Sequence, residues 1–430
     1  MTRSTRAARP GGGIWSRAAL LAPLRHGPFR LLYAGQVISN LGDWLDLLAL
    51  LTLIAYQWRL GAAALAALTM AQLLPLAVVA PLAGVLVDRW PRRATMLGCD
   101  LGRAAIVLGL VWAPHLPAVV ALVLAKMTLS TFFDPARQVA IRATVPEDDL
   151  LAASSLGRLS VNATKVLGPA LGGLLVAATG PRAAFVADAL TFLASAAILS
   201  RLPRLAPAAA PDGGRRAPRF WREFRAGFAC IVRYRPLAIA VAAATAEMLI
   251  VESNDSLTVL AFKGLGMGEA LVGLAIGASG LGNVAGALAL GQWGRRVPAL
   301  GLMGGGKVLV GVVELGIGGA LVAGLAGGGA WVPLIVVNGI GFAAIWVAYG
   351  YILQRETPPD LLGRVSAAAT ALQTAAGLAG PPLGAYLARR LGVGPVYLIT
   401  GAALTLVGLL VVLAIPAARP APCAPAADAS

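Results

Sequence analysis

Apolar runs long enough to cross a membrane, separated by Pro, Gly and charge clusters, recur along this chain at approximately 31–56, 62–87, 94–113, 117–139, 153–178, 183–202, 236–262, 269–292, 299–324, 330–353, 364–388 and 394–415. A helix rises about 1.5 Å per residue, so roughly 20 mostly apolar residues span a hydrocarbon core of about 30 Å. The pattern therefore predicts an all-α membrane protein with twelve transmembrane helices in two six-helix halves. Between the sixth and seventh runs, residues 203–218 (PRLAPAAAPDGGRRAP) are too rich in Pro, Gly and Arg to span or pack, and read as a linker. Phe220 to Phe228 resumes an amphipathic pattern suited to the membrane surface. The expected organisation is a basic N-terminal segment (1–28), a first half (29–202), a linker with its amphipathic segment (203–235), a second half (236–415) and a Pro/Ala-rich tail (416–430) with no reason to fold.

An internal repeat supports two halves. Pro146 precedes Gly168-Pro169 (GPALGG) as Pro358 precedes Gly380-Pro381 (GPPLGA), and one offset of 212 residues also aligns Asp148 with Asp360, Ser154 with Ser366 and Gly172 with Gly384. Parallel six-helix repeats are a transporter architecture, with the substrate site between the halves near the bilayer midplane.

Composition excludes a water-soluble protein: 58% of residues are hydrophobic and 13% charged, with mean hydropathy +0.79, against about 25% charged in a soluble domain. The formal charge of +16 would suggest nucleic acid if the chain had a basic surface. Its distribution gives another reason. With both termini inside, 25 of the 35 Lys+Arg fall in cytoplasmic segments and five in outer loops (Arg59, Arg182, Lys263, Arg389, Arg390), as the positive-inside rule requires. A multi-pass protein of the cytoplasmic membrane with both termini in the cytoplasm is expected, and no nucleic-acid partner.

Cys99, Cys230 and Cys423 are scattered, and His26 and His115 are the only histidines, so no metal site and no cofactor is expected. The lack of a glycine loop ending in Lys-Ser/Thr disfavours ATP drive within the chain. No paired nucleophile and base indicates an enzyme.

Gly84-Val-Leu-Val-Asp88-Arg89-Trp90-Pro91-Arg92-Arg93 forms a charged turn between the second and third helices. It resembles the cytoplasmic signature of the major facilitator superfamily, with Pro91 in place of the usual glycine. The second half carries a weaker version, Gly286 to Arg296, with Leu290 at the acidic position. Gly168, Pro169, Gly172 and Gly173 in the fifth helix resemble the end of that superfamily's antiporter motif, with Ser155 and Thr164 where its upstream glycines stand. Small residues also serve plain helix packing, and a proline frees one backbone carbonyl so that a helix bends. Phe29 to Asp46, Gln72 to Arg93, Asp100 to Arg103, Asp134 to Gln138 and Phe185 to Phe192 resemble the enterobactin-exporter and macrolide-efflux-like branch. Together with the repeat, these stretches cover most of 29–415.

A charged side chain at mid-bilayer costs about 3 kcal/mol or more, which makes each one a functional candidate. Gln36, Asn40 and Asp43 follow i, i+4, i+7 on the first helix, with Asp46 one turn on. The resemblance implies that this helix faces the central cavity, making Asp43 a candidate for binding a proton or a cationic substrate group. Pairing with a basic residue is the alternative. Lys126 on the fourth helix and Lys165 on the fifth, the latter in line with Arg158 and Asn162, are expected either to pair with Asp43 or Asp46 or to attract an anionic substrate. Glu247, mid-depth in the seventh helix, is the second candidate proton carrier, also on a helix that the resemblance places on the cavity. Glu252 and Asp255 suit a wet vestibule, Lys307 and Glu314 a structural pairing on the ninth helix, and Asp100 with Arg103 a local ion pair.

These features imply a monomeric secondary transporter working with a small-molecule substrate, protons and the bilayer. The expected activity is proton-coupled efflux of a natural product, drug or siderophore by alternating access. The Gly84 to Arg93 loop, with Asp88, Arg89, Arg92 and Arg93, would latch one state. An importer, a lysophospholipid flippase and a non-transporting sensor are the alternatives, since fold fixes neither direction nor cargo.

Overall fold

The computed structural model describes residues 20–87, 90–203, 216–294 and 297–415. The first half comprises α1 (Gly27–Thr52), α2 (Ala62–Val78), α3 (Ala80–Val87), α4 (Arg92–Leu110), α5 (Leu116–Thr144), α6 (Leu150–Thr179) and α7 (Pro181–Leu199). After the linker helix α8 (Arg216–Arg233) come α9 (Arg235–Asp255), α10 (Thr258–Gly264), α11 (Glu269–Trp293), α12 (Ala299–Val322), α13 (Val332–Glu356), α14 (Leu362–Leu391) and α15 (Val393–Leu413). Nine of the described helices are individually long and apolar enough to span a bilayer. The broken rod α2/α3, the charge-bearing α4 and α14 occupy the remaining places in the two repeats.

The repeat holds at the level of individual boundaries. The offset of 212 carries the whole of α6 onto α14, and the ends of α4 and α5 onto the ends of α12 and α13. It also relates two helix-breaking glycines, Gly180 (φ 82) and Gly392 (φ 93), which start the last helix of each half. A side chain is strained at such positive φ, which is why glycine stands at both positions.

Three departures from the expected spans have local causes. The second rod breaks at Val79, where Pro81 has no N–H to continue the ladder. The first helix ends in a π turn, Leu53–Gln57, with Trp58 N–H bonded to the Leu53 carbonyl at 2.8 Å. The seventh span is divided, α9 stopping at Asp255 and α10 starting at Thr258. The amphipathic segment is helical as α8, and Gly227 lets it lie against the backbone of Arg364 at the start of α14.

Each half has its own apolar core, one around Leu48, Phe185 and Phe192 and the other around Leu237, Met303 and Leu404. A third cluster joins the halves, packing Ala55, Ala62 and Ala66 of the first against Leu257, Phe262 and Met267 of the second. This seal lies on the far side, opposite the linker. Polar contacts reinforce it: Tyr56 Oη donates to the Met267 carbonyl at 2.8 Å and Lys263 Nζ to the Ala55 carbonyl at 2.7 Å. Ala55 lies in the π turn at the carbonyl end of α1, where a cation is favoured.

Candidate functional site

Glycines set how closely the halves meet. In α6, Gly168 and Gly172 face α1: a Cβ on Gly168 would come within 2.5 Å of the Trp44 side chain, and one on Gly172 within 3.1 Å of the Trp44 carbonyl. Gly173 faces the other half, where a Cβ would come within 2.8 Å of Gly273 Cα on α11, and Pro169 presents its carbonyl to that same glycine. The four motif residues therefore join α6 to its own half and to the opposite one. Toward the linker side the same face of α6 is uncovered, exposing Arg158, Asn162 and Lys165. The halves are thus sealed together on the far side, while toward the linker side this polar face of α6 is exposed.

The polar stripe of α1 reads α5. Arg137 donates to Gln36 Oε1 and, at 3.3 Å, to Asp134 Oδ1, while Asn40 is half-buried. One turn further, Lys126 Nζ lies 2.6 Å from Asp46 Oδ2, 2.8 Å from Asp43 Oδ1 and 3.6 Å from Asp188 Oδ2 of α7. Thr191 donates to Asp188 Oδ1 at 3.1 Å, and the ammonium also sits 5.3 Å from the Phe192 ring centre. Gly42 makes the arrangement possible, since a Cβ there would collide with the Thr191 hydroxyl and the Asp188 carboxylate. Lys126, Asp46 and Asp188 are buried, whereas Asp43 keeps 41% of its side chain exposed.

Beside this cluster, Arg103 pairs with Asp100, which also accepts from Ser195 Oγ at 2.7 Å. The guanidinium lies between Phe133 and Phe192, 4.4 and 4.5 Å from their ring centres, which makes this a buried ion pair supported on both faces.

One expected position changes. Glu247 does not line the cavity: it is 1% exposed and pairs with Lys307 of α12, whose ammonium also donates to the Ala243 carbonyl at 3.1 Å. The helix phase turns Glu247 into its own half, and the buried Lys307 neutralises it there. Of the two alternatives for Lys126, the structure has the pairing with Asp43 and Asp46, joined by Asp188, and not an open attractor for anions. Lys307 and Glu314 share a helix face yet take separate partners on α9, since Asn254 Nδ2 donates to Glu314 at 2.8 Å and Thr400 Oγ1 donates to Asn254 at 2.9 Å. Lys165 is exposed and within electrostatic reach of Asp255 across the interface.

Asp188 was missed by the sequence reading, although Phe185 to Phe192 was singled out as a family-like stretch. An acid five residues past the start of the apolar run 183–202 is a charge within a span, the criterion that selects Asp43. Of the expected latch, Asp88 and Arg89 lie outside the described residues, Gly84 is in α3, Arg92 is buried at the start of α4, and Arg93 donates to the Ser200 carbonyl beyond α7.

The second-half wall next to the linker helix is apolar. A cavity of about 510 Å³ is lined by residues including Phe228, Val232, Ala242, Thr245, Leu249 and Leu372. The Thr245 hydroxyl is turned to its own helix, donating to the Val241 carbonyl at 2.8 Å.

The model of the Major Facilitator Superfamily matches residues 32–379 and 256–429. The chain is 29% identical over 384 residues to an uncharacterized MFS-type transporter, YfiS, of Bacillus subtilis, covering 89% of this chain and 92% of that protein. It is 28% identical over 418 residues to the multidrug efflux pump Tap of Mycobacterium tuberculosis, covering 94% and 96%. A shorter match, 33% identical over 175 residues, covers 40% of this chain and 43% of the putative bacilysin exporter BacE of Bacillus subtilis. Among solved structures, the nucleoside transporter NupG superposes with a TM-score of 0.71 at 12% identity for its D323A mutant, covering 90% of this chain and 100% of that one. A POT family transporter in complex with 5-aminolevulinic acid gives 0.71 at 13% identity, covering 91% and 96%. Those two likenesses speak to fold alone. With its repeated halves, their glycine-lined junction and a family match over most of its length, the chain belongs to the major facilitator superfamily and is a multi-pass membrane transporter of small molecules.

Proposed function

We propose that this transporter is a proton-coupled exporter of small amphipathic compounds, of the enterobactin-exporter and macrolide-efflux-like branch. The observation that carries the reading is the cluster on Lys126, a charged group buried in the first half and reached from the interior space through Asp43. The multidrug efflux pump and the exporter among its relatives favour export. The linker side is assigned to the cytoplasm by the basic-residue bias of the sequence, so the structure corresponds to an inward-open state.

In this mechanism cargo enters from the cytoplasm between α6 and the second half. Its apolar part lies against the α9/α14 wall, and an acidic or phenolate group meets the exposed Arg158 and Lys165. Rocking of 29–202 against 236–415 then closes the linker side, latched by Gly84 to Arg93, and parts the far-side seal. A proton taken up by Asp43 weakens its hold on Lys126 and resets the inward-open form.

Inverted membrane vesicles with an imposed pH gradient, loaded across a compound panel, test this. Gradient-driven accumulation of drug-like compounds is expected, and Asp43→Asn abolishes it. Full gradient-driven activity in that variant, or uptake in right-side-out vesicles alone, would overturn the reading. Lys165→Ala is expected to impair anionic members of matched pairs more than cationic ones.

A further inference from the structure

Three carboxylates and one ammonium do not balance. Lys126 neutralises one of Asp43, Asp46 and Asp188 and Asp43 is 41% exposed, so one negative charge is left over in a place with little access to water, and a membrane interior makes such an excess costly. Among the described residues, the neighbours do not make up the difference. From α4, Arg103 is already taken by Asp100, and from α7 itself Thr191 gives Asp188 one neutral hydrogen bond. Asp188 is 0% exposed, and neither its Oδ2 nor Oδ1 of Asp46 has a hydrogen-bond partner among the described residues. A carboxylate tolerates this poorly, whereas a carboxylic acid needs far less from its surroundings. Asp43, by contrast, has solvent at hand to carry its charge.

We propose that Asp188 is a second, buried proton-binding site, loaded and emptied through Asp43. The inference rests on the proton-coupled reading above and places the stored proton on α7, behind the residue that meets the cavity. The relay conserves every proton. One arrives on Asp43 Oδ1, 2.8 Å from Lys126 Nζ. A turn of the flexible Lys126 side chain that closes the 3.6 Å to Asp188 Oδ2 into a hydrogen bond lets the ammonium pass a proton there and take the arriving one from Asp43. Lys126 ends as it began, Asp43 is again an anion and Asp188 is neutral. Release runs the same steps backward. Asp46, 2.6 Å from Nζ, remains the fixed counter-charge that keeps the ammonium in place.

Infrared difference spectroscopy of the purified full-length transporter in lipid nanodiscs, stepped between acid and alkaline buffer in H2O and D2O, reads this directly. A protonated-carboxyl C=O band that shifts in D2O is expected, and it disappears in Asp188→Asn, whose amide keeps the shape of a neutral acid. Proton uptake in the same step falls by about one per protein, as expected when a single carboxyl is lost. Asp188→Glu is expected to keep the band at a displaced frequency, which serves should the asparagine variant not fold. Asp100→Asn, whose carboxylate is fully partnered, leaves the band in place. An unchanged band in both Asp188 variants would overturn the proposal. The spectrum needs neither cargo nor direction, so the outcomes separate: a band that answers to Asp188 with efflux indifferent to the pH gradient refutes the exporter reading alone, and gradient-driven efflux with an unresponsive band refutes this one alone.

Discussion

The two halves share a backbone plan and use their charges in opposite ways. Positions 212 apart pair Asp43 with Asp255, Asp46 with Thr258, Lys126 with Asn338 and Asp188 with Thr400, so the first half's cluster survives in the second as one acid and neutral groups. The second half's buried pair, Glu247 with Lys307, falls where the first half has Gly35 and Thr95. The first-half cluster is over-supplied with acids and open at Asp43, whereas the second-half pair is balanced one to one and sealed. Packing differs too. Gly304, Gly311 and Gly318 of α12 meet Gly408, Gly401 and Gly394 of α15, close enough that a Cβ on Gly311 would lie 2.6 Å from the Gly401 carbonyl. At the equivalents of the three α12 glycines, the first half has Arg92, Cys99 and Ile106. One repeat has thus kept reactive groups near the interior space while the other has become a tightly packed wall. Duplicated folds allow this because helix packing needs small or matching surfaces at few positions, leaving the others free to change.

The contrast is broken most forcefully by removing each lysine. Lys126→Met and Lys307→Met each strand buried acid and are each expected to cost about 3–5 kcal/mol in thermal unfolding. Efflux per folded molecule separates them: Lys126→Met loses gradient-driven transport, while Lys307→Met stays within a factor of about two of the parent. Combining Lys307→Met with Glu247→Leu is expected to recover most of the stability, since an apolar pair replaces a balanced ion pair at little cost. Equal transport losses for the two single variants would erase the proposed division of labour.

Packing gives the next largest effect. Gly311→Leu overfills the α12–α15 seam and is expected to cost at least about 1–3 kcal/mol, whereas Cys99→Leu, at the equivalent position, costs less because its neighbours already accommodate a side chain. Unfolding measurements on both variants check this.

Smaller again is the far-side contact that the second half alone supplies. Lys263→Met removes the charged hydrogen bond to the Ala55 carbonyl. It is expected to move the conformational equilibrium toward the far-side-open form by about tenfold, or roughly 1.4 kcal/mol. Spin labels at Gly61→Cys and Leu325→Cys, with the native cysteines replaced, would report a larger population at long distance. An unchanged distance distribution would show that the apolar cluster and the Tyr56–Met267 hydrogen bond hold the seal without Lys263. Thr400→Val is expected to cost about 1 kcal/mol of stability by loosening Asn254, with transport intact, as measured by unfolding and vesicle efflux.

Particular residues show where the sequence was readable. Asp43 and Lys126 were visible as charges in apolar runs, because such residues are costly in a bilayer wherever they point. Glu247 was equally visible and wrongly oriented. Its burial depends on Lys307, 60 residues away, and a periodicity taken from one helix cannot reveal which neighbour it faces. Asp188 meets the same criterion, but it reaches Lys126 of the cluster because Gly42, lacking a side chain, admits α7 to α1.

The sequence by itself determined that this is a helical membrane protein built as a repeat, because spanning a bilayer requires long apolar runs and a duplicated pattern persists along the chain. It also marked the buried charges as the residues to examine. Tertiary structure alone decided which of them meet, which half holds the open cluster and which side of the molecule is closed. Those outcomes depend on the rotation of each helix against its neighbours and on close glycine contacts between segments far apart in the chain, whereas the hydropathy pattern reports only how much of each segment avoids water.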